Sequence, residues 1–374
     1  MEFSTRYALM GLAMLMAGPA AAQTAEPAAP TATEPPAAAA SDAAPAQTDA
    51  GAEAPEGSNG TAPESSTADA VATRAAAPGG APEWANTPWG SDDQIGSANL
   101  MTPESVKAAT ELVTEGKVYS LGLVIGPDTP AFPPRSLSLT VLQPGQTDNS
   151  GLGANAFTYN DDIFMGWLGI GSQIDGLGHA GIDHHYYKGL AGSDFANPAG
   201  LTELGLDNLK GLVGRGVVLD MAKHFGVDMV EEGTAYTDED IKAAAEAQGV
   251  ELRKGDVVLF HSNWMELLDG DSVDPARFGA AEPGVGVSGG EYLAELGVMA
   301  VGADTWGMEA VPAETEGDAF RVHQILQPEN GIYILENMDT RELVADGVSE
   351  FLFVLGQTRL KGAVQMMINP IAIR

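Results

Sequence analysis

The sequence predicts a single domain of α/β or α+β type built on a mixed sheet, set behind a leader and a tether. Three observations carry this reading. Short apolar runs bounded by Gly, Asp or Asn recur from Gly211 to Leu355. Helical segments with their own start and stop signals alternate with some of these runs but not with all. The first eighty or so residues have a composition unlike the rest.

The elements follow in order. Thr102-Pro103 offers a capping hydroxyl and a first-turn proline to a helix running towards Val113. Gly211 to Met221 contains the buried-strand run Gly216-Val217-Val218-Leu219-Asp220. Thr237 and Asp240 have capping-box spacing ahead of a helix from Asp238 to Gln248, which Gly249 stops. Asp256 to His261 reads as a second buried strand, and Ser288 with Glu291 as the cap of a helix from Tyr292 to Leu296. Val298 to Val301, Ile332 to Leu335 and Phe351 to Leu355 complete the strands. Several strands are joined by loops alone, which argues for a mixed sheet over a doubly wound parallel one. No period of 20 to 50 residues marks a repeat array.

Residues 1–22 have the plan of a secretory signal peptide: Arg6, an apolar run from Tyr7 to Ala17, then Ala20-Ala21-Ala22. That run is too short for a membrane span. Residues 23–82, mostly Ala, Pro, Thr, Glu, Ser and Gly, cannot bury enough apolar area to offset their ordering entropy and are expected to form a tether. A periplasmic or secreted location follows. Residues 83–374 hold all five tryptophans and suffice for one large domain.

The chain has no cysteine, so any metal must sit on His, Asp, Glu, Gln or water. The formal charge of −34 argues against nucleic acid and anionic membrane as partners, which are held mainly by Lys and Arg. The charge says nothing specific about a substrate.

Only six histidines occur, so their placement is informative. In Gly169-Ile-Gly171-Ser172-Gln173-Ile-Asp175-Gly-Leu-Gly178-His179, Gln173 and Asp175 share one face of an extended segment, and His179 follows a glycine-flanked turn that can fold it back. A core rarely groups such residues unless they serve each other or a metal. His323 closes a short helical run, and Glu336 follows the strand Ile332 to Leu335, where sheets of this kind place active sites. Asp304 stands after Val298 to Val301. His261, Trp167, Trp264 and Trp306 flank these segments as candidate pocket walls, with core packing the competing explanation for each. His184 and His185 read as pocket wall or surface, and His224 as surface.

Gly286-Val-Ser288-Gly-Gly290 fits G-x-S-x-G, with Asp304 and His323 in triad order. The elbow requires a strand directly before it, whereas Ala280 to Gly284 reads as loop, and Ser288 is accounted for as a cap. Gly284-x-Gly286-x-x-Gly289 mimics a dinucleotide fingerprint without its leading strand or distal acid. A non-catalytic metal- or ligand-binding protein is the remaining alternative.

The 169–179 segment resembles the motif H-x-G-T-H-x-D-x-P-x-H of the cyclase family, the kynurenine formamidase-like and isatin hydrolase-like metal-dependent hydrolases. Gly171, Asp175 and His179 match it. Gly302-Ala-Asp304-Thr305 resembles the family's G-x-D-T. His323 to Leu326, Gly331-Ile332 and Glu336-Asn337 resemble H-x-x-L, G-I and E-N, and Arg359 to Ala363 with Pro370 to Ile373 resembles its C-terminal pattern. The similarity runs from about Val118 to Arg374 with every segment in family order.

The resemblance implies a swivelling β/β/α fold and a homodimer or homotetramer. It also implies a divalent cofactor, Mn²⁺ or Zn²⁺, activating water against an amide, formamide, cyclic imide or lactone. The ligand set it implies is Gln173, Asp175, His179, His323 and Glu336, with His179 either a ligand or the general base. Two motif histidines are replaced here, by Gly169 and Gln173. Harder oxygen in place of imidazole favours Mn²⁺ or a single retained site.

Overall fold

The computed structural model describes residues 82–85, 87–143, 151–269 and 273–374. The leader 1–22 and all but the last residue of the tether 23–82 lie outside the described residues. The strands that matter below are β1 (Val118–Ser120), β2 (Leu137–Leu142), β3 (Asp161–Gly166), β4 (Gln173–Asp175), β5 (Leu212–Asp220), β6 (Val257–His261), β7 (Ala300–Ala303), β8 (Tyr333–Glu336), β9 (Glu350–Leu355), β10 (Gln365–Met367) and β11 (Ile371–Ile373). Nine of them form one sheet in the order β1-β11-β9-β5-β6-β7-β8-β4-β10. Its centre, β5 to β8, is parallel. The strands on either side run antiparallel. The fold is thus α/β with a mixed sheet, as the irregular alternation of helices and strands predicts.

The central strands read as continuous apolar runs because both faces are covered. Val217, Leu219, Val258, Phe260, Val301 and Ile334 pack on one face with Ile241, Ala244, Ala245 and Leu293. Val218, Val257, Leu259, Ala300 and Leu335 point to the other, with Phe351, Phe353 and Tyr119.

Helix α1 (Pro103–Thr110) starts at the expected cap, where Thr102 Oγ1 accepts from Ser105 N, and stops short of Val113. Helix α2 (Asp238–Gln248) has its capping box closed in both directions, Thr237 Oγ1 accepting from Asp240 N at 3.1 Å and Asp240 Oδ2 from Thr237 N at 3.0 Å. Gly249 ends it at φ 71°. Burying Ile241 completely stabilises the chain by roughly 1.5–3 kcal/mol.

Helix α3 (Val287–Leu296) corrects the expected start at Tyr292: Gly286 is the N-cap, and no side chain caps it. Ser288 instead accepts from Asp238 N at 3.2 Å. Gly289 and Gly290 serve close packing, since a Cβ on Gly289 would lie 2.4 Å from Tyr236 O and one on Gly290 2.8 Å from Val322 Cγ1. A two-residue strand, Gly284–Val285, does precede Ser288, contrary to the loop expected there, but it pairs with Ala235–Tyr236 in a sheet separate from the main one.

Strands β2 and β3 pair antiparallel as a separate two-stranded sheet. Leu139, Val141, Ile163 and Met165 on it are more than half exposed. No described helix is long and apolar enough to cross a membrane.

Candidate metal centre

Strand pairing brings the first half of the site together. Glu336 lies opposite Gln173 and Ile334 opposite Asp175, so Gln173, Asp175 and Glu336 project from the same face while Ile174 and Leu335 enter the core behind. The turn before β4 depends on Gly171 at φ 64°, where a Cβ would lie 2.2 Å from Ile125 Cγ2. Asn337, also at positive φ, donates Nδ2 to Gly171 O at 2.9 Å, while Ser172 Oγ donates to Asn337 O at 2.5 Å. These bonds tie the two ends of the site to each other.

His323 reaches the site from the short helix α4 (Arg321–Gln324). Its Nδ1 is held by Glu309 Oε1 at 2.5 Å, and Glu309 also accepts from the backbone N–H of Val322 and His323. The ring is thereby oriented with Nε2 3.4 Å from Glu336 Oε1 and 3.9 Å from Asp175 Oδ2. Asp175, His323 and Glu336 are all buried and offer ligand atoms within 4.8 Å of one another.

The test of whether these residues suit a metal lies in Asp175. Its Oδ1 accepts from Gln365 Nε2 at 2.7 Å and from Gln173 Nε2 at 3.2 Å. Its Oδ2 is buried with no hydrogen-bond partner. A buried carboxylate oxygen left bare costs about 1–3 kcal/mol or more, and a divalent cation between Asp175, Glu336 and the free His323 nitrogen would satisfy it. The donor set, one imidazole and two carboxylates, suits Mn²⁺ and Zn²⁺.

The electrostatics agree. Burial and the Asp175 carboxylate push Glu336 up to about 8. Burial would lower His323, but its hydrogen bonds to Glu309 and Glu336 outweigh it and push the group up to about 10. Both shifts have one cause, carboxylates crowded together in a buried place.

The remaining candidates fall into place around the triad. His179 Nε2 lies 3.6 Å from Asp175 Oδ2, and burial lowers its pKa below the ordinary histidine value. Gln173, expected as an oxygen donor, here turns its amide nitrogen to both carboxylates, 2.5 Å from Glu336 Oε2. Asp304, directly after β7, is bonded to the turn after β6 and to none of the triad. It accepts from Ser262 N and Oγ and from Trp264 N, with His261 Nδ1 3.5 Å away. His261 is bonded to Thr340 at 2.8 Å, and Trp264 is wholly buried with Met265, Leu267 and Phe278. Both are thus packed residues and not cavity walls. Trp167 is half exposed.

A cavity of ≈ 250 Å³ opens on His323 and Glu336 of the triad and is lined also by His179, Arg135, Phe132, Trp306 and Phe320, with Ala180 and Gly307. A larger cleft of ≈ 620 Å³ beside α1 and β5 contains no histidine, and its charges Arg215, Asp256 and Glu350 pair with one another. It is not the candidate site.

The residues that sequence reading missed are Glu309, Gln365, Arg135 and Glu282. Glu309 and Gln365 each stand alone among apolar residues, Met308-Glu309-Ala310-Val311 and Ala363-Val364-Gln365-Met366, the one signal that could have exposed them. Glu282 is fully buried and accepts from the N–H groups of Trp306 and Gly307, which orients the tryptophan on the cavity wall. Burial, reinforced by Glu336, raises its pKa well above the ordinary carboxylate value.

This fold and this triad define a class, and comparison with known proteins gives it a family. The Cyclase family model matches residues 119–310. Among solved structures, a novel cyclase is 31% identical, covering 76% of this chain and 98% of its own at a TM-score of 0.70. An isatin hydrolase bound to the product analogue thioisatinate is 19% identical, covering 73% and 98% at 0.52. Isatin hydrolase A from Ralstonia solanacearum has the same values of 19%, 73%, 98% and 0.52. These last two establish likeness of fold alone. A search of curated proteins found no match. The chain belongs to the cyclase family.

Proposed function

We propose that the protein is a metal-dependent hydrolase that uses water to cleave an amide, formamide, cyclic imide or lactone in a small-molecule substrate. The observation that carries this reading is the convergence of Asp175, His323 and Glu336, with Asp175 Oδ2 bare and with His323 and Glu336 lining an aromatic-walled cavity. The hydrolysis for which the isatin hydrolases are named is consistent with it, since those proteins share the fold.

Asp175, Glu336 and His323 Nε2 would hold Mn²⁺ or Zn²⁺. Such an ion supplies Lewis acidity, lowering the pKa of coordinated water towards about 7 and polarising the carbonyl. Glu309 fixes which imidazole nitrogen of His323 faces the site. Gln173 and Gln365 hold the carboxylates in place by hydrogen bonds. His179, kept neutral by its burial, accepts a proton from the attacking water at Nε2 and returns it to the leaving nitrogen or oxygen. Phe132, Trp306 and Phe320, whose rings contact one another, exclude bulk water from the cavity.

The serine alternative gains nothing from the site. The Ser288 hydroxyl is bonded to the start of α2, Asp304 to the 262–264 turn, and His323 to Glu309. The apolar side chains exposed on the β2–β3 hairpin support assembly as a homodimer or homotetramer. The leader supports a periplasmic or secreted location.

The deciding experiment couples metal analysis of the purified chain to hydrolysis of one formamide, one lactone, one cyclic imide and isatin with Mn²⁺ or Zn²⁺ supplied. Near-stoichiometric metal with chelator-sensitive turnover is expected. Metal without turnover on any of the four would favour a binding protein.

A further inference from the structure

The cavity that opens on His323 and Glu336 is also lined by residues with hydrogen-bond donors left over. Arg135 has five guanidinium N–H groups, and in the structure it donates one bond, from Nη1 to Gly169 O at 2.8 Å. Among the described residues no carboxylate pairs with it, in a chain with 52 acidic and 18 basic residues. Trp306 Nε1 is buried without a partner, and an indole nitrogen can only donate. Both residues line the cavity that opens on Glu336 and His323. Phe132 joins them, its ring 5.6 Å from that of Trp306 and 5.9 Å from the guanidinium carbon.

Arg135 depends for its position on the absence of a side chain at Gly169. A Cβ there would lie 2.7 Å from Arg135 Nη1 and 2.8 Å from Gln365 Oε1. The volume beside Gly169 is therefore taken by the arginine and by the glutamine that holds Asp175. A second imidazole cannot return there without displacing both. The site thus carries a fixed positive charge on the cavity wall.

We propose that Arg135, with Trp306 Nε1, binds a carboxylate carried by the substrate, so that the hydrolase acts on anionic aryl or acyl compounds whose scissile carbonyl is set over Asp175, His323 and Glu336. This rests on the hydrolase reading of the same site. A guanidinium matches a carboxylate in a two-pronged geometry, and the rings of Phe132, Trp306 and Phe320 suit a flat apolar body beside it.

The test uses the Mn²⁺-loaded protein and two inert probes of equal shape, benzoate and benzamide, titrated by calorimetry. Wild type should bind benzoate at least about 10-fold more tightly than benzamide. Arg135→Gln should weaken benzoate by about 10- to 100-fold while leaving benzamide, metal content and the thermal midpoint unchanged. Arg135→Lys should recover part of the loss, and Trp306→Phe should weaken benzoate by about 2- to 10-fold. Equal binding of the two probes by wild type, or an Arg135→Gln effect that is nil or the same for both, overturns the proposal.

Turnover separates this assignment from the reading beneath it. N-formylanthranilate should be preferred over formanilide by wild type, and Arg135→Gln should erase the preference. If both are hydrolysed alike and lose activity alike, Arg135 serves only the newly formed acid and the assigned substrate class is wrong. If the benzoate results hold while neither is hydrolysed, the hydrolase reading fails and the carboxylate site remains.

Discussion

Replacing Glu309 by Gln tests whether the triad is a metal centre, because it alters no ligand. Glu309 accepts three N–H groups: Val322 N at 2.8 Å, His323 N at 3.2 Å and His323 Nδ1 at 2.5 Å. Glutamine keeps one acceptor oxygen and puts an NH₂ group where the other stood, so at least one of these donors faces a donor. The bond to the ring is the strongest of the three, and hydrogen bonds to charged groups contribute about 1.5–3 kcal/mol. At about 1.4 kcal/mol per decade this is a 10- to 100-fold loss of metal affinity, which agrees with the range for partners that orient a metal-bound histidine. The assay is competition with a chelator of known affinity for Mn²⁺ or Zn²⁺, alongside thermal unfolding without metal. Glu309→Gln should bind metal about 10- to 100-fold more weakly and remain folded. A folded variant whose affinity stays within about 3-fold of wild type would refute the role given to the Glu309 charge in holding His323 for a metal.

Three further outcomes are expected. His179→Ala should lower kcat by about 10²- to 10⁴-fold with metal content retained; unchanged turnover rejects its role as proton acceptor, and lost metal makes it a ligand. Leu139→Asp with Phe164→Asp, opposite each other on the exposed hairpin, should reduce the mass measured by light scattering, and an unaltered mass excludes this surface from the assembly. Arg341 clamps Asp339 through Nε at 2.9 Å and Nη2 at 2.7 Å. Burial would raise the Asp339 pKa, but Arg341 outweighs it and lowers the group below its ordinary 3.8. A lowered folded value stabilises above the unfolded pKa and is lost as pH falls through the folded one. With both side chains a quarter exposed, Arg341→Gln should cost about 1 kcal/mol at pH 7, and less and less as the pH drops below about 4; a cost independent of pH in urea titrations contradicts this account.

Much of the architecture was legible because it is local. The capping box Thr237/Asp240 and the stop at Gly249 belong to one helix, and the run from Val257 to Phe260 is apolar throughout because both of its faces are covered. Where local signals misled, tertiary contact was the cause. The glycines at 289 and 290 look like an elbow but exist so that α3 can approach Tyr236 and Val322. Ser288 looks like a cap but serves the neighbouring helix.

The sequence by itself determined the class of the fold, the lack of thiol ligands, and the spacing that puts Gln173 and Asp175 on one face of a strand. Only the tertiary structure decided that Glu336 pairs opposite Gln173, that Glu309 from a separate loop holds His323, and that Arg135 occupies the room left by Gly169. The physical reason is that alternation along a strand is written in neighbouring residues. A charge partner 14 residues away in the chain, or a guanidinium filling the absence of a side chain 34 residues on, is set by packing, which no local pattern records.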